Sequence, residues 1–139
     1  MKSCLFCNII EKKEQAYIIY ENERVCCFLD ADPINKGHIL IVPKKHYAEF
    51  TEVDSHCLTE IILIAQQMAR IMAKLLHVDG ITIMQNNGIF NDIGHYHMHI
   101  FPRFEGDGFS WIDPDIEIHE GEFEVMMGRF IEGLNEGLK

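Results

Sequence analysis

The chain has 139 residues, 47% of them apolar and 24% charged, which suits a single domain with its own hydrophobic core. Twelve basic residues against 22 acidic ones leave a formal net charge of −10, which argues against nucleic-acid binding by bulk electrostatics, because that affinity comes from lysine and arginine meeting phosphates. The apolar runs are short, residues 61–65 being among the longest, and fall far below the ~20 residues of a membrane span.

No repeat, low-complexity tract or linker interrupts the chain, so the expected organisation is one α+β domain over residues 1–139. A short helix is expected over residues 5–11, just after Cys4. Glu11, Lys12, Lys13 and Glu14 cut off the opening apolar stretch too early for a secretory signal, so the expected compartment is the cytoplasm. Five cysteines there point to thiols or a metal site rather than a disulfide framework. Residues 17–20 and 25–29 read as two strands with turn character at Asn22. "GHILIVP" reads as a third, opened by Gly37 and stopped by Pro43. Asp54 is the expected N-cap of a long helix ending near His77, with Leu58, Ile61, Ile62, Ala65, Met68, Ala69, Met72, Leu75 and Leu76 at helical spacing. "GITIM" and "HYHMHIFP" read as the fourth and fifth strands. A last helix is expected over residues 123–134, weakened by Gly128 and Gly133.

The stretch "HYHMH" carries histidines at every second position. In a strand, residues i, i+2 and i+4 face one side, so His95, His97 and His99 share a face with neighbouring Cα atoms about 6.5–7 Å apart, while Tyr96, Met98 and Ile100 face apolar surroundings. Two chemistries use such an array. The rings can share a metal that keeps one position open for water. Alternatively, one imidazole attacks an electrophile while its neighbours neutralise the anion that forms. Spacing alone leaves both open. Elsewhere, Cys4 and Cys7 form a C-x-x-C bite suited to tetrahedral zinc, and with His46 and one histidine of the triplet they would complete a closed, structural Cys2His2 set. The blander alternative is a pair of small apolar side chains in a terminal helix.

These motifs, in this order, resemble the histidine triad (HIT) family of nucleotide hydrolases and transferases: "CLFCNII", "CFLDADPINKGHILIVPKKHY", "QNNG" and "HYHMHIFPR". The resemblance implies a HIT-like fold, an antiparallel sheet of about five strands with one long helix and a C-terminal helix. It implies that His97 is the nucleophile, forming a nucleotidyl-histidine intermediate at the α-phosphorus of a purine nucleotide before water releases the nucleoside monophosphate. His99 is implied to contact the α-phosphate, Asp30 the ribose hydroxyls and Asn86 the phosphate or bridging atom, with His38 packed behind the site. Cys4, Cys7, His46 and His95 are implied as ligands of a structural zinc, and a homodimer as the assembly. The implied substrate is a nucleoside phosphoramidate or a dinucleoside polyphosphate.

One segment departs from the family pattern. The loop "IFNDIG", residues 89–94, is about two residues shorter and lacks the usual glycine–glutamine pair and hydroxyl residue. Asn91 is the candidate replacement donor, and Asp92 is repulsive to phosphate unless it turns away or binds a cation. Two rival readings follow: a zinc-dependent hydrolase with metal-activated water, and a nucleotide-binding or interaction module without turnover.

Overall fold

Alternation along three strands decides where the rest of the chain sits. In the computed structural model, which describes residues 3–137, β2 (Val25–Leu29), β3 (Ile39–Pro43) and β5 (Met98–Arg103) send successive side chains to opposite faces. Val25, Cys27, Ile39, Ile41, Met98 and Ile100 join one core cluster, and Cys26, Phe28, Leu40 and Val42 join another. With β1 (Ile18–Glu21) and β4 (Gly80–Met84), they form a five-stranded antiparallel sheet in the order β1-β2-β3-β5-β4. Asn22 makes the first turn, its Oδ1 accepting from the backbone N–H of Arg24 and of Val25, both at 2.8 Å.

The two faces are covered unequally. α2 (Ser55–Leu76) lays Cys57, Ile61, Ile64, Ala65, Met68 and Met72 on the first. Its N-terminus is capped as expected, with Asp54 accepting from the Cys57 N–H at 3.0 Å, and it stops at His77 in the left-handed conformation. Gly37 is required where α2 closes over the sheet: its φ is +98°, and a Cβ there would meet Leu76 Cδ1 at 2.7 Å. On the second face α1 (Leu5–Ile10) buries Phe6 and Ile9 and leaves room beside them. Cys26, Cys27 and Cys57 are core residues.

The chain divides into two compact units, Met1–Phe109 and Ser110–Lys139. The first holds the sheet, α1 and α2. The second is an irregular stretch followed by α3 (Glu122–Gly137), a little longer than expected and spanning Gly128 and Gly133. None of α3's residues is buried.

β5 begins at Met98, not at His95 as expected. Its ladder with β3 covers only Ile39–Ile41, and the residues before it bond otherwise. The Tyr96 N–H donates to the Tyr47 carbonyl at 2.7 Å, and the His95 and His97 rings bind main-chain carbonyls. The alternation of faces nevertheless continues back through the triplet: Tyr96 joins the α2 core, while Phe6 of α1 packs against His95 and His97.

Candidate active site

Strand alternation gathers the site. Asp30 follows β2 on the face of Cys26 and Phe28, and His38 precedes β3 on the face of Leu40 and Val42. The Asp30 N–H donates to the His38 carbonyl at 2.9 Å, holding the two side by side. Across β3, the register Leu40↔His99 brings His99 to the same face. His38 Nε2 lies 2.9 Å from His99 Nδ1 and 3.3 Å from Asp30 Oδ2. Asp30 also keeps its local role, Oδ1 accepting from the Asp32 N–H at 2.9 Å.

Hydrogen bonds to main-chain groups set the ring tautomers. The Ile34 N–H donates to His38 Nδ1 at 3.0 Å, so in the neutral ring the hydrogen sits on Nε2 and is offered to His99 Nδ1. His99 then carries its own hydrogen on Nε2, as a donor. His97 Nδ1 donates to the His95 carbonyl at 2.8 Å, which leaves Nε2 of the neutral ring with a bare lone pair. His95 is the reverse: Nε2 donates to the Pro43 carbonyl at 2.8 Å and Nδ1 is the bare nitrogen. Three neighbouring histidines thus present an acceptor, an acceptor and a donor at different places.

The bare nitrogen of His95 faces sulfur. It lies 3.4 Å from Cys4 Sγ and 3.6 Å from Cys7 Sγ, and His46 Nδ1 lies 3.4 Å from Cys7 Sγ. All four donor atoms fall within 4.8 Å of one another. The nitrogen–sulfur edge of a tetrahedral zinc site is about 3.6 Å from its bond lengths, so the four residues could hold a metal ion. Burial, with Cys4 alongside, pushes the Cys7 thiol up to about 11, and burial pushes His95 down to about 4. A divalent cation favours the deprotonated ligands that binding needs.

Phe6, between the two cysteines, joins this cluster to the triad. Its ring meets His97 edge-on at 5.1 Å and His95 at 5.8 Å, and it is 3% exposed. Sequence reading passed over Phe6; the signal was its place inside C-x-x-C, where the turn that aims the thiols also aims the ring. Leu5, Phe6, Ile9 and Phe28 then wall a pocket of about 380 Å³, with Asp30, His97 and His99 at its polar end.

Residues 11–106 match the model of the HIT domain. The chain belongs to the HIT family. An uncharacterized HIT-like protein from Methanocaldococcus jannaschii is 44% identical over 107 residues, 76% of this chain and 82% of that one. A zinc-bound histidine triad family protein from Mycobacterium smegmatis superposes with a TM-score of 0.73 at 36% identity, covering 81% of this chain and 84% of that one. A histidine triad nucleotide-binding protein from Candida albicans superposes with a TM-score of 0.77 at 28% identity, covering 98% and 97%. The α+β HIT fold expected from the motifs is the fold observed.

Within this HIT site the loop of residues 89–94 is arranged differently from the expectation. Asn91 is spent on the loop itself: Oδ1 accepts from the N–H groups of Ile93 at 3.1 Å and Gly94 at 3.0 Å, while Nδ2 points to the His95 and Ala48 carbonyls. Asn91 is therefore no donor to the pocket, and Asp92 and Ile93 line it instead. Asn86 is half-buried just beyond β4 and does not line the pocket; continuing the Met84↔His99 register by two places sets it opposite His97.

Burial, followed by the rings of His97 and His38, pushes His99 down to about 4, and burial also lowers His38. Both HIT-site histidines are therefore harder to protonate in the folded chain than in the unfolded one. The contribution of His99 to stability is complete above pH about 6.5 and is lost as pH falls towards about 4, by roughly 3 kcal/mol, and the lowering of His38 acts in the same direction. Urea midpoints at several pH values should show this loss, and His99→Gln should flatten it. An unchanged pH dependence in His99→Gln would contradict the assignment.

Proposed function

We propose that this HIT protein is a nucleotide hydrolase in which His97 Nε2 attacks the α-phosphorus of a purine nucleotide and a nucleoside monophosphate is released. The tautomer of His97 carries the reading: its other nitrogen is committed to the His95 carbonyl, so the nucleophilic lone pair needs no separate base. As the nitrogen–phosphorus bond forms, the leaving atom departs with its electron pair and takes up a proton. Water then attacks phosphorus, His97 leaves with its electron pair, and the proton lost by water balances the first. His99, donating through Nε2 and held by His38, would neutralise the phosphate oxygens. Asp30 would accept from the ribose, and the apolar wall of Phe6, Ile9 and Phe28 would take the base. The name of the Candida albicans neighbour, a nucleotide-binding protein, supports a nucleotide as ligand.

In this reading Cys4, Cys7, His46 and His95 would hold zinc as a structural ion. Its chemistry is to fix four side chains and, through α1, the wall of the pocket. The reading with a zinc-activated water would need an open site: the Cys2His2 set is closed, and at the other described group that could hold an ion, Asp30, His38 and His99, the His38 Nε2 hydrogen is directed at His99 Nδ1. The non-catalytic alternative draws on Asp92 at the polar end of the pocket. A fluorogenic adenosine phosphoramidate separates the two: the hydrolase should release the fluorophore with many turnovers, and binding without release would sink the reading.

A symmetric homodimer is the proposed assembly. Ile62, Leu63 and Leu75 of α2 are exposed; the strand before that helix, β3, expected at the interface with it, is buried throughout, and Ile83 is exposed on β4, an edge strand of the sheet. Ile62, Leu63, Ala65, Ala69 and Ile83 line one continuous shallow apolar groove. Light scattering should give twice the 16.1 kDa chain mass at micromolar concentration, and Leu63→Glu should halve it. A wild-type mass of one chain would count against the assembly.

A further inference from the structure

We infer that Asp92 is a specificity-determining residue, which steers the site towards substrates with a cationic leaving group, such as the phosphoramidate of an organic diamine, and away from polyphosphates. The inference rests on the reading of His97 as nucleophile and adds the substrate class. It comes from the charge of the pocket. Glu14, Asp30, Asp32 and Asp92 stand among its lining residues, with no lysine or arginine. Elsewhere in this unit, Lys12 and Lys44 pair with Glu21 at 2.8 and 3.3 Å, and Arg103 with Asp107 at 2.7 Å. A phosphoramidate carries one negative charge at its reacting phosphorus, which His99 can meet. A polyphosphate brings several more, which the four lining carboxylates oppose.

The carboxylates are not equivalent. Asp30 is engaged by His38 and by the Asp32 N–H. Glu14, in the segment leading to β1, and Asp32, in the turn after Asp30, also line the pocket but are not among the charges that act on His99. Asp92 enters the pocket from the loop that leads into the triad, is exposed, and among the described residues forms no ion pair. Its field reaches His99, where it favours the charged ring. It is the carboxylate set to meet a group attached to phosphorus.

The chemistry balances. His97 Nε2 bonds to phosphorus while the phosphorus–nitrogen bond of the substrate breaks. That nitrogen leaves with the electron pair, takes a proton and departs as an amine, whose distal ammonium is the charge Asp92 attracts. Water then cleaves the His97–phosphorus bond and returns the proton.

The test compares kcat/KM for adenosine monophosphate joined through the same phosphorus–nitrogen bond to 1,3-diaminopropane or to γ-aminobutyrate, and for diadenosine tetraphosphate with Mg²⁺. The wild type should favour the diamine conjugate over the aminobutyrate conjugate by about tenfold or more at low ionic strength, narrowing as salt is added. Asp92→Asn should bring the two within roughly threefold, since it removes the lining carboxylate that acts on His99 and forms no ion pair among the described residues, and leaves Glu14, Asp30 and Asp32 in place. An equal ratio in the wild type, an unchanged ratio in Asp92→Asn, or the tetraphosphate as best substrate would overturn the inference. Calorimetric affinities for the same compounds keep the two readings apart. If nothing is hydrolysed but the diamine conjugate binds best in an Asp92-dependent way, the nucleophile reading fails and the charge selection stands. If no such preference appears in affinity or turnover, the charge selection fails.

Discussion

His97→Ala is expected to lower turnover of an adenosine phosphoramidate by roughly 10^3-fold or more while leaving the fold, the metal cluster and nucleotide binding in place. The size follows from what is removed. The other groups around the phosphorus are donors or carboxylates, and none replaces a bare imidazole nitrogen. His95 presents a bare nitrogen too, but towards Cys4 and Cys7. His99 Nδ1 receives from His38, so its free side is a donor. The His97 ring is 2% exposed and lies between Phe6 and His99, so truncation leaves a small cavity and some loss of stability is expected. His97→Gln, closer in size, separates that packing cost from the chemistry. Mass spectrometry of rapidly quenched wild-type protein should place an acid-labile nucleotidyl group on His97. Near-normal turnover in His97→Ala, or an adduct on another residue, would refute the division of roles among the three rings.

The second large effect is expected at the cysteine–histidine cluster. Protein purified without added metal should contain about one zinc per chain. His46→Ala should lose most of it and unfold roughly 10 °C lower, the scale expected when an ion bound only by the folded state is removed from a chain of this length. His46 suits this test because it is exposed, so truncation removes little packing. After chelation the wild type and His46→Ala should unfold at the same temperature, which a packing effect would not produce. Metal-free protein with unchanged thermal stability would dismiss the structural ion. Loss of α1 anchoring should also weaken nucleotide binding, since Leu5, Phe6 and Ile9 wall the pocket.

Much of this was legible because period-two and helical patterns survive in the sequence undisturbed. β2, β4 and the Asp54 cap stand where the apolar spacing and cap chemistry put them. The start of β5 was not legible, because Tyr96 bonds to Tyr47 rather than to a strand partner, and no local pattern announces that choice. Nor was the fate of Asn91 and Asp92: asparagine before aspartate says turn, but not which side chain closes it and which faces the pocket. The His38–His99 bond joins residues 61 positions apart, and only the β3–β5 register reveals it. α3 was expected from its spacing, yet an amphipathic repeat reads the same whether or not its own chain buries it.

The alternation that separates α2's core from the histidine face makes the site behave like a reading frame. One residue inserted or deleted between His95 and Phe101 would rotate every later side chain by half a period. Tyr96 and Met98 would be thrown against the substrate, and histidines into the packing of Ile61 and Met68. Length changes in this part of a HIT chain can survive only where no ladder propagates them. Residues 89–94 are such a place, closed on themselves by Asn91 and preceding the first paired residue of β5. A change of length there would alter which charges the pocket meets and leave the phase of the strand intact.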